Sequence, residues 1–413
     1  MIKIVNKSEC CGCEACRQVC PKDCISMIVD REGFLYPKVD ESKCIGCNAC
    51  DSVCPVLNQD SPYSPIETLA AVNKDVNIRM ESSSGGVFTA LAEYVINKGG
   101  VVFGARFDNN LNVIHDYVES IEGLQKFRGS KYVQSQIGDT YSQAKKFLKE
   151  GRIVLFSGTP CEIAGLKKFL RKDYDNLIAV DIVCHGVPSP MVWKKYLESI
   201  SPRPKGAAAG KNTVLSLNES SLEGVSFRDK RLGWKKFGFR FSLKAGNKAG
   251  QNSVSGSPIS KQEELFQYHW DNEFMQVFLC NECLRPSCYD CPAKSGKSQS
   301  DITLGDFWGI QEIHPEIDDD KGLSLILVNT EKGDRLMEST GCKVWPEDYD
   351  KALTSNPAIE KSVGAPNTRS LFMKSCINWG FSNAFRLSKI PKLFVRAKNK
   401  IGRMVIKFTR NVH

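Results

Sequence analysis

The chain has 413 residues, 41% hydrophobic and 25% charged. That is ordinary for a core-forming globular protein and, at roughly 100–200 residues per domain, enough for two to four domains. No apolar run approaches the ~18–20 residues of a membrane span, and the N-terminal MIKIVNKSECCGC lacks the apolar core of a signal peptide, so a cytoplasmic location is expected. The net charge of +9 is unevenly placed: ten Lys and Arg, with no Asp or Glu, lie from Lys374 onward. The rest of the chain is close to neutral, which argues against a nucleic-acid-binding body.

Eighteen cysteines in a chain of this kind are not expected to form disulfides, since cytosolic thiols stay reduced. Ten of them precede residue 55. Cys10, Cys13, Cys16 and Cys20-Pro21 read C-x2-C-x2-C-x3-C-P, and Cys44, Cys47, Cys50 and Cys54-Pro55 repeat that pattern 34 positions later. This is the two-cluster ferredoxin spacing, in which the fourth cysteine of each run ligates the other cluster. Cys10, Cys13, Cys16 and Cys54 are therefore assigned to one 4Fe–4S cluster, and Cys44, Cys47, Cys50 and Cys20 to the other. Cys11 and Cys24 fall outside the pattern and read as spare thiols. The intervening ISMIVDREGFLYPKVDESK alternates like a short hairpin. Zinc is the competing reading, and two complete copies of the motif disfavour it.

NQDSPYSPIE, residues 58–67, reads as a linker. Beyond it, ESSSGGVFTALAEYVINKGGVVFGARFD predicts loop, helix, turn and strand. Ser82, Ser83 and Ser84 are placed to cap the helix, and Val87, Phe88, Leu91, Val95 and Ile96 mark its buried face. Such an N-terminus is either a plain cap or an anion site suited to a cofactor phosphate. In RIVLFSGTPCEIAGLKKFLRKDYDNLIAVDIVCHGVPSP, two apolar strands flank a helix from about Glu162 to Arg171. The βαβ pattern makes the strands parallel and puts Cys161 and Cys184 at the carboxyl edge of the sheet, where α/β proteins place ligands. His185 reads either as a proton donor or as a satisfied strand-end residue.

Phe237, Phe239 and Phe241 alternate with Gly238 and Arg240 as in a strand. Arg228, Lys230, Lys235 and Lys236 beside them read as a solvated hairpin face, with an anionic substrate as the alternative. FLCNECLRPSCYDCP then packs Cys280, Cys283, Cys288 and Cys291 as C-x2-C-x4-C-x2-C, which is either a self-contained four-thiolate site or a donor of ligands to a shared one. SDITLGDFWGI predicts a short strand leading to Asp306 and Trp308. There is no GxGxxG, so direct use of a nicotinamide cofactor is not expected.

Taken in order, SSSGG, GSKYVQS, SGTPCEIAGLKKFL, DIVCHGVPSP, LRPSCYDC and SDITLGDFWGI resemble the coenzyme F420 hydrogenase/dehydrogenase beta-subunit family, preceded by a fused two-cluster ferredoxin. The resemblance covers roughly residues 1–315. It implies an iron–sulfur flavoprotein oxidoreductase that binds FAD in an α/β core and passes electrons between clusters and a two-electron acceptor. The acceptor implied is coenzyme F420-like or, for the bacterial branch that RPSCYDC and DFWGI resemble, a cell-surface polysaccharide precursor. Carried over position by position, Cys161, Cys184, Cys288 and Cys291 would hold a third 4Fe–4S cluster. Ser83, Ser84, Gly85, Gly86, Lys131, Tyr132, Gly158 and Thr159 would contact FAD. The electron source implied is a ferredoxin or a reductase subunit, and the alternative role is a non-catalytic electron-transfer adaptor.

The expected architecture is α+β / α/β. A ferredoxin domain (1–59) and linker (60–67) lead to a flavin-binding core in two parts (68–148 and 149–345), followed by a helical basic tail (346–413). In the tail Leu393, Phe394, Ala397, Ile401, Met404, Val405 and Phe408 recur at helical spacing with Lys and Arg between them. That pattern suits a peripheral contact with the inner face of a membrane, or docking on the protein's own body or on an acidic partner.

Overall fold

The computed structural model describes residues 1–200, 222–243 and 264–389. The basic amphipathic stretch from Ile390 onward, and most of 206–262, lie outside the described residues. No described helix is long and apolar enough to cross a membrane.

The two cysteine runs adopt the same local shape. Glu14 and Asn48 are left-handed (φ 60° and 54°) and start the four-residue helices α1 (Ala15–Gln18) and α2 (Ala49–Ser52). Between the runs, β1 (Ile25–Val29) and β2 (Leu35–Val39) pair antiparallel, with Ile25 opposite Val39 and Val29 opposite Leu35. Asp30 Oδ1 closes the turn by accepting the N–H groups of Glu32 and Phe34, both at 3.0 Å.

The core is an eight-stranded mixed sheet. Its strands are β3 (Glu67–Val72), β4 (Val101–Phe107), β5 (Val113–Val118), β6 (Val154–Gly158), β7 (Leu177–Ile182), and three later ones described below. The helices between them are α3 (Val76–Glu81), α4 (Val87–Asn97), α5 (Thr140–Lys149) and α6 (Pro160–Leu170), with α7 (Pro190–Ile200) following β7. As the βαβ pattern requires, β6 and β7 are parallel, with Val154 opposite Leu177 and Gly158 opposite Asp181. β4 joins β6 in parallel, and β5 closes that edge antiparallel.

Strand alternation sorts the core into two layers. Val101, Phe103, Val154, Phe156, Leu177 and Ala179 face α5 and α6, whereas Val102, Leu155, Ile178 and Val180 face α4 through Val87, Leu91 and Val95. The central strands are apolar on both faces for this reason. Ser82, Ser83 and Ser84 do not cap α4. Its N-cap is Gly86, with φ +83°, and the serines are turned to other partners. Ser82 Oγ donates to Ile78 O (2.7 Å), Ser84 Oγ to Leu323 O (2.7 Å), and Ser83 Oγ accepts Ser130 N–H (2.7 Å).

A second, three-stranded antiparallel sheet is built from β8 (Leu222–Asp229), β9 (Gly238–Leu243) and β10 (Glu264–Tyr268). Phe227, Phe239 and Phe241 bury against Trp193 and Tyr196 of α7 and against Phe274 of α8 (Glu273–Leu279), an aromatic cluster. The chain then returns to the large sheet as β11 (Ile302–Asp306), β12 (Ser324–Val328) and β13 (Lys343–Pro346), giving the order β13-β3-β12-β11-β7-β6-β4-β5. β11 is parallel to β7 and antiparallel to β12.

The ferredoxin region packs straight onto the core. Ala15, Cys13 and Val53 share a hydrophobic cluster with Ile163, Leu166 and Tyr141. The close approach depends on Gly165 of α6, where an added Cβ would lie 2.8 Å from Cys13 Cβ and 2.9 Å from Cys13 Sγ. Gly165→Ala is expected to lower stability by about 1–3 kcal/mol through overpacking, read from the denaturant midpoint. Gly364→Ala, where the Cβ meets nothing within 4 Å, should leave that midpoint nearly unchanged.

Candidate functional site: thiol cages beside a large cavity

The fold gathers the cysteines into three groups. Cys20, Cys44, Cys47 and Cys50 line one small cavity. Cys24 lines it too, its Sγ 3.3 Å from that of Cys20. Cys10, Cys13, Cys16 and Cys54 form the second group: burial, then Cys10 and Cys54, push the Cys16 thiol up to about 12, and burial with Cys10 nearby raises Cys54. Each fourth cysteine thus sits with the other run's first three.

The third group lies at the carboxyl edge of the sheet. β6 ends at Gly158, and Glu162 closes the start of α6 by accepting Thr159 N–H at 2.7 Å. This places Cys161 in the first turn of α6, while Cys184 follows the parallel strand β7. The turn Pro286–Asp290 brings Cys288 and Cys291 to the same place. Val187 N–H donates to Cys288 Sγ (3.4 Å), and Cys291 N–H to Ser362 Oγ (2.9 Å). Cys161, Cys184, Cys288 and Cys291 line one cavity. Burial pushes Cys288 up to about 12 and Cys291 to about 11, with Cys161 adding to both. Among the described residues no three His, Cys, Asp or Glu side chains are grouped to hold a single metal ion. The thiols stand around cavities instead, and all-thiol sets of four are the donor chemistry of iron–sulfur clusters.

Cys11, read as spare, is buried and lines the third cavity as a fifth thiol. Cys280 and Cys283 do not line it. α8 ends at Leu279 and Asn281 is left-handed (φ 61°), which leaves Cys280 exposed and Cys283 buried with Cys376 in the aromatic cluster.

Beside this third group opens a cavity of about 750 Å³. Ser83, Ser84, Gly86, Lys131, Tyr132, Gly158 and Thr159 all line it. Gly85 does not, because its N–H is turned to Ser324 Oγ, 2.9 Å away. Arg228 and Lys230 correct the solvated-face reading, since both are buried. Arg228 pairs with Asp306 at 2.8 Å, its guanidinium 3.9 Å from the Phe237 ring and 5.2 Å from Trp308. Lys230 Nζ donates to the carbonyls of Arg79 (2.6 Å), Ser84 and Lys321 (both 2.7 Å). Burial is survivable here because each cation meets a carboxylate or several carbonyls. Among the described residues Arg228 Nε has no hydrogen-bond partner, in a desolvated position on the cavity wall. Burial pushes the Lys131 ammonium down to about 7.

His115 also lines this cavity and was not singled out in the sequence. Its Nε2 is 3.0 Å from Ser157 O, which can only accept, so Nε2 carries a proton and Nδ1 faces Ser135 Oγ at 2.6 Å. The available signal was a histidine at an inward position of the strand VIHDYV, where alternation calls for an apolar residue. His185 Nε2 lies 2.6 Å from Asn281 Oδ1, and burial lowers its pKa, favouring the neutral ring. Cys184, His185, Gly186 and Val187 line both the third thiol cavity and the large one. The two spaces share a wall.

Residues 151–343 match the family model for the C-terminal part of the coenzyme F420 hydrogenase/dehydrogenase beta subunit, and residues 37–57 match a 4Fe-4S binding domain. The stretch 151–343, just under half of the chain, is similar to the C-terminal part of this beta subunit. The activity class that goes with these two matches is iron–sulfur electron transfer of the oxidoreductase type. Among solved structures, a chain of the F420-reducing NiFe hydrogenase complex from Methanosarcina barkeri, a xenon derivative, is similar at 14% identity. The match covers 75% of this chain and 99% of that one, with a TM-score of 0.43. No curated protein matches this chain.

Proposed function

We propose that the chain is an FAD-dependent iron–sulfur oxidoreductase. Cys161, Cys184, Cys288 and Cys291 hold a third 4Fe–4S cluster, beside the two held by Cys10, Cys13, Cys16 with Cys54 and by Cys44, Cys47, Cys50 with Cys20. The observation that carries this reading is the wall formed by Cys184 to Val187, common to a four-thiol cage and a cavity of about 750 Å³. When bound, the clusters carry single electrons and the flavin supplies hydride-like transfer to a two-electron acceptor.

The chain's own groups then have definite tasks. Arg228, Lys131 and the turn Ser83, Ser84 and Gly86 bind the cofactor's phosphates, helped by the N–H groups at the start of α4. Phe237, Trp308 and Phe278 exclude water from the cavity. The neutral His185 ring donates from Nε2 to Asn281, which fixes its orientation beside Cys184. The electron donor is a ferredoxin-like protein or reductase subunit, and the acceptor a small molecule, coenzyme F420-like or a polysaccharide precursor. The adaptor reading remains the alternative. Anaerobic purification separates the two: bound FAD with about 12 irons per chain supports the enzyme, while about 8 irons without flavin supports the adaptor. Stoichiometric zinc overturns both.

A pH dependence follows from Lys131. Its ammonium is held near 7 in the unliganded cavity, and a bound pyrophosphate raises that value, so binding takes up a proton above pH 7. FAD affinity is expected to fall as pH rises above about 7, and Lys131→Met to flatten the fall; titration of apoprotein with FAD by flavin fluorescence checks both.

A further inference from the structure

Arg285 is a fully buried cation with an unusual set of partners. Its Nε donates to Cys10 O (2.7 Å), Nη1 to Gln134 Oε1 (2.9 Å) and Nη2 to Leu35 O (2.8 Å), with Nη2 also 3.5 Å from Cys10 Sγ. The rings of Tyr36 and Phe34 flank it, their centroids 4.4 and 5.4 Å from Cζ. Among the described residues no carboxylate lies within ion-pair reach of the guanidinium. Carbonyls and aromatic faces offset only part of the cost of burying a charge.

The place of this cation is as telling as its partners. Arg285 precedes Cys288 by one turn, and Cys288 N–H donates to Arg285 O at 2.9 Å. The guanidinium therefore reaches the Cys10 thiol from the segment that carries a thiol of the third cage. Gly12 makes room for it. A Cβ there would lie 2.8 Å from Arg285 Nη1 and 2.7 Å from Gln134 Nε2, at a φ of +79°. An iron–sulfur cube held by four thiolates is net negative and becomes more so on reduction, and cluster potentials respond to nearby charge and to hydrogen bonds at sulfur. Such a cube at Cys10 is the counter-charge that this pocket lacks.

We propose that Arg285 sets the reduction potential at the junction between the ferredoxin region and the core. Its charge stabilises the reduced state of the cluster at Cys10 and, through the Cys288 turn, of the one at Cys161, relative to the cluster at Cys44. The gradient so made draws electrons inward. This rests on the cluster assignment proposed above.

The test is an anaerobic redox titration followed by electron paramagnetic resonance, with iron counted in every sample. Arg285→Gln is expected to keep about 12 irons while the reduced-to-oxidised ratio of the cluster at Cys10 at a fixed potential falls about tenfold, which is 59 mV for a one-electron couple, and that of the cluster at Cys161 falls less. Arg285→Lys keeps the charge and should stay close to the unaltered protein. Gln134→Glu leaves Arg285 in place but sets a carboxylate against Nη1; it should shift the same cluster in the same direction, and it decides the matter if Arg285→Gln does not fold. Full iron with unmoved potentials in Arg285→Gln, or in Gln134→Glu, overturns the proposal. Iron near 8 in the unaltered protein overturns the cluster assignment instead.

Discussion

Cys161→Ser is expected to cut bound iron from about 12 to about 8 per chain after anaerobic reconstitution, while Cys280→Ser leaves it at about 12. The difference is geometric. Cys161 stands with Cys184, Cys288 and Cys291 around one cavity, whereas Cys280 is exposed beyond the end of α8. Iron and sulfide content, with the visible charge-transfer absorption of the oxidised protein, are the measurements. Loss of iron in Cys280→Ser with none in Cys161→Ser would return the ligands to the local C-x2-C-x4-C-x2-C run. Cys11→Ser belongs in the same series. Four thiols complete the cage without Cys11, so its variant should retain about 12 irons.

Asp306→Ala is expected to cost about 3–5 kcal/mol, because it strands the buried Arg228 guanidinium without the one carboxylate, among the described residues, that pairs with it at 2.8 Å. The Arg228 side chain is 4% exposed and that of Asp306 16%, so solvent does little to screen the loss. Denaturant unfolding of the apoprotein would show it. The doubly apolar variant Arg228→Met with Asp306→Leu should recover much of the stability and still fail to bind FAD, since the charge proposed to meet the phosphates is gone. A single variant as stable as the parent would mean that Arg228 is solvated. By contrast, removing Glu331 from its pair with Arg335, where the side chains are 92% and 69% exposed, should change stability very little.

Local patterns carried a large part of this structure. The hairpin β1–β2, the parallel pair β6–β7, helix α6 and strand β9 all form where alternation, helical spacing and turn residues place them. Each rests on contacts within a few dozen residues, the range over which hydrophobic period and turn chemistry act. The errors come where a side chain's partner is distant in sequence. Ser83 and Ser84 had the spacing of helix caps, yet their hydroxyls serve Ser130 and Leu323. Arg228 and Lys230 had the look of a solvated hairpin, yet Asp306 and the carbonyls of Arg79, Ser84 and Lys321 enclose them.

The cysteines show the same division. Two runs of C-x2-C-x2-C-x3-C-P determined by themselves that the first three thiols of each run stand together, because a short loop with that spacing can wrap only one cube. The sequence alone also determined the parallel βαβ unit, and with it the sheet edge that bears Cys161 and Cys184. The spacing of the cysteines left Cys280 and Cys283 level with Cys288 and Cys291, and the family resemblance favoured the latter pair; the tertiary structure brings that pair to the edge, adds Cys11 beside it, and bridges Arg285 to Cys10. A left-handed residue at Asn281 and the end of α8 separate the two halves of one short segment. Spacing records which residues can meet; the packing of the aromatic cluster against the sheet selects which do.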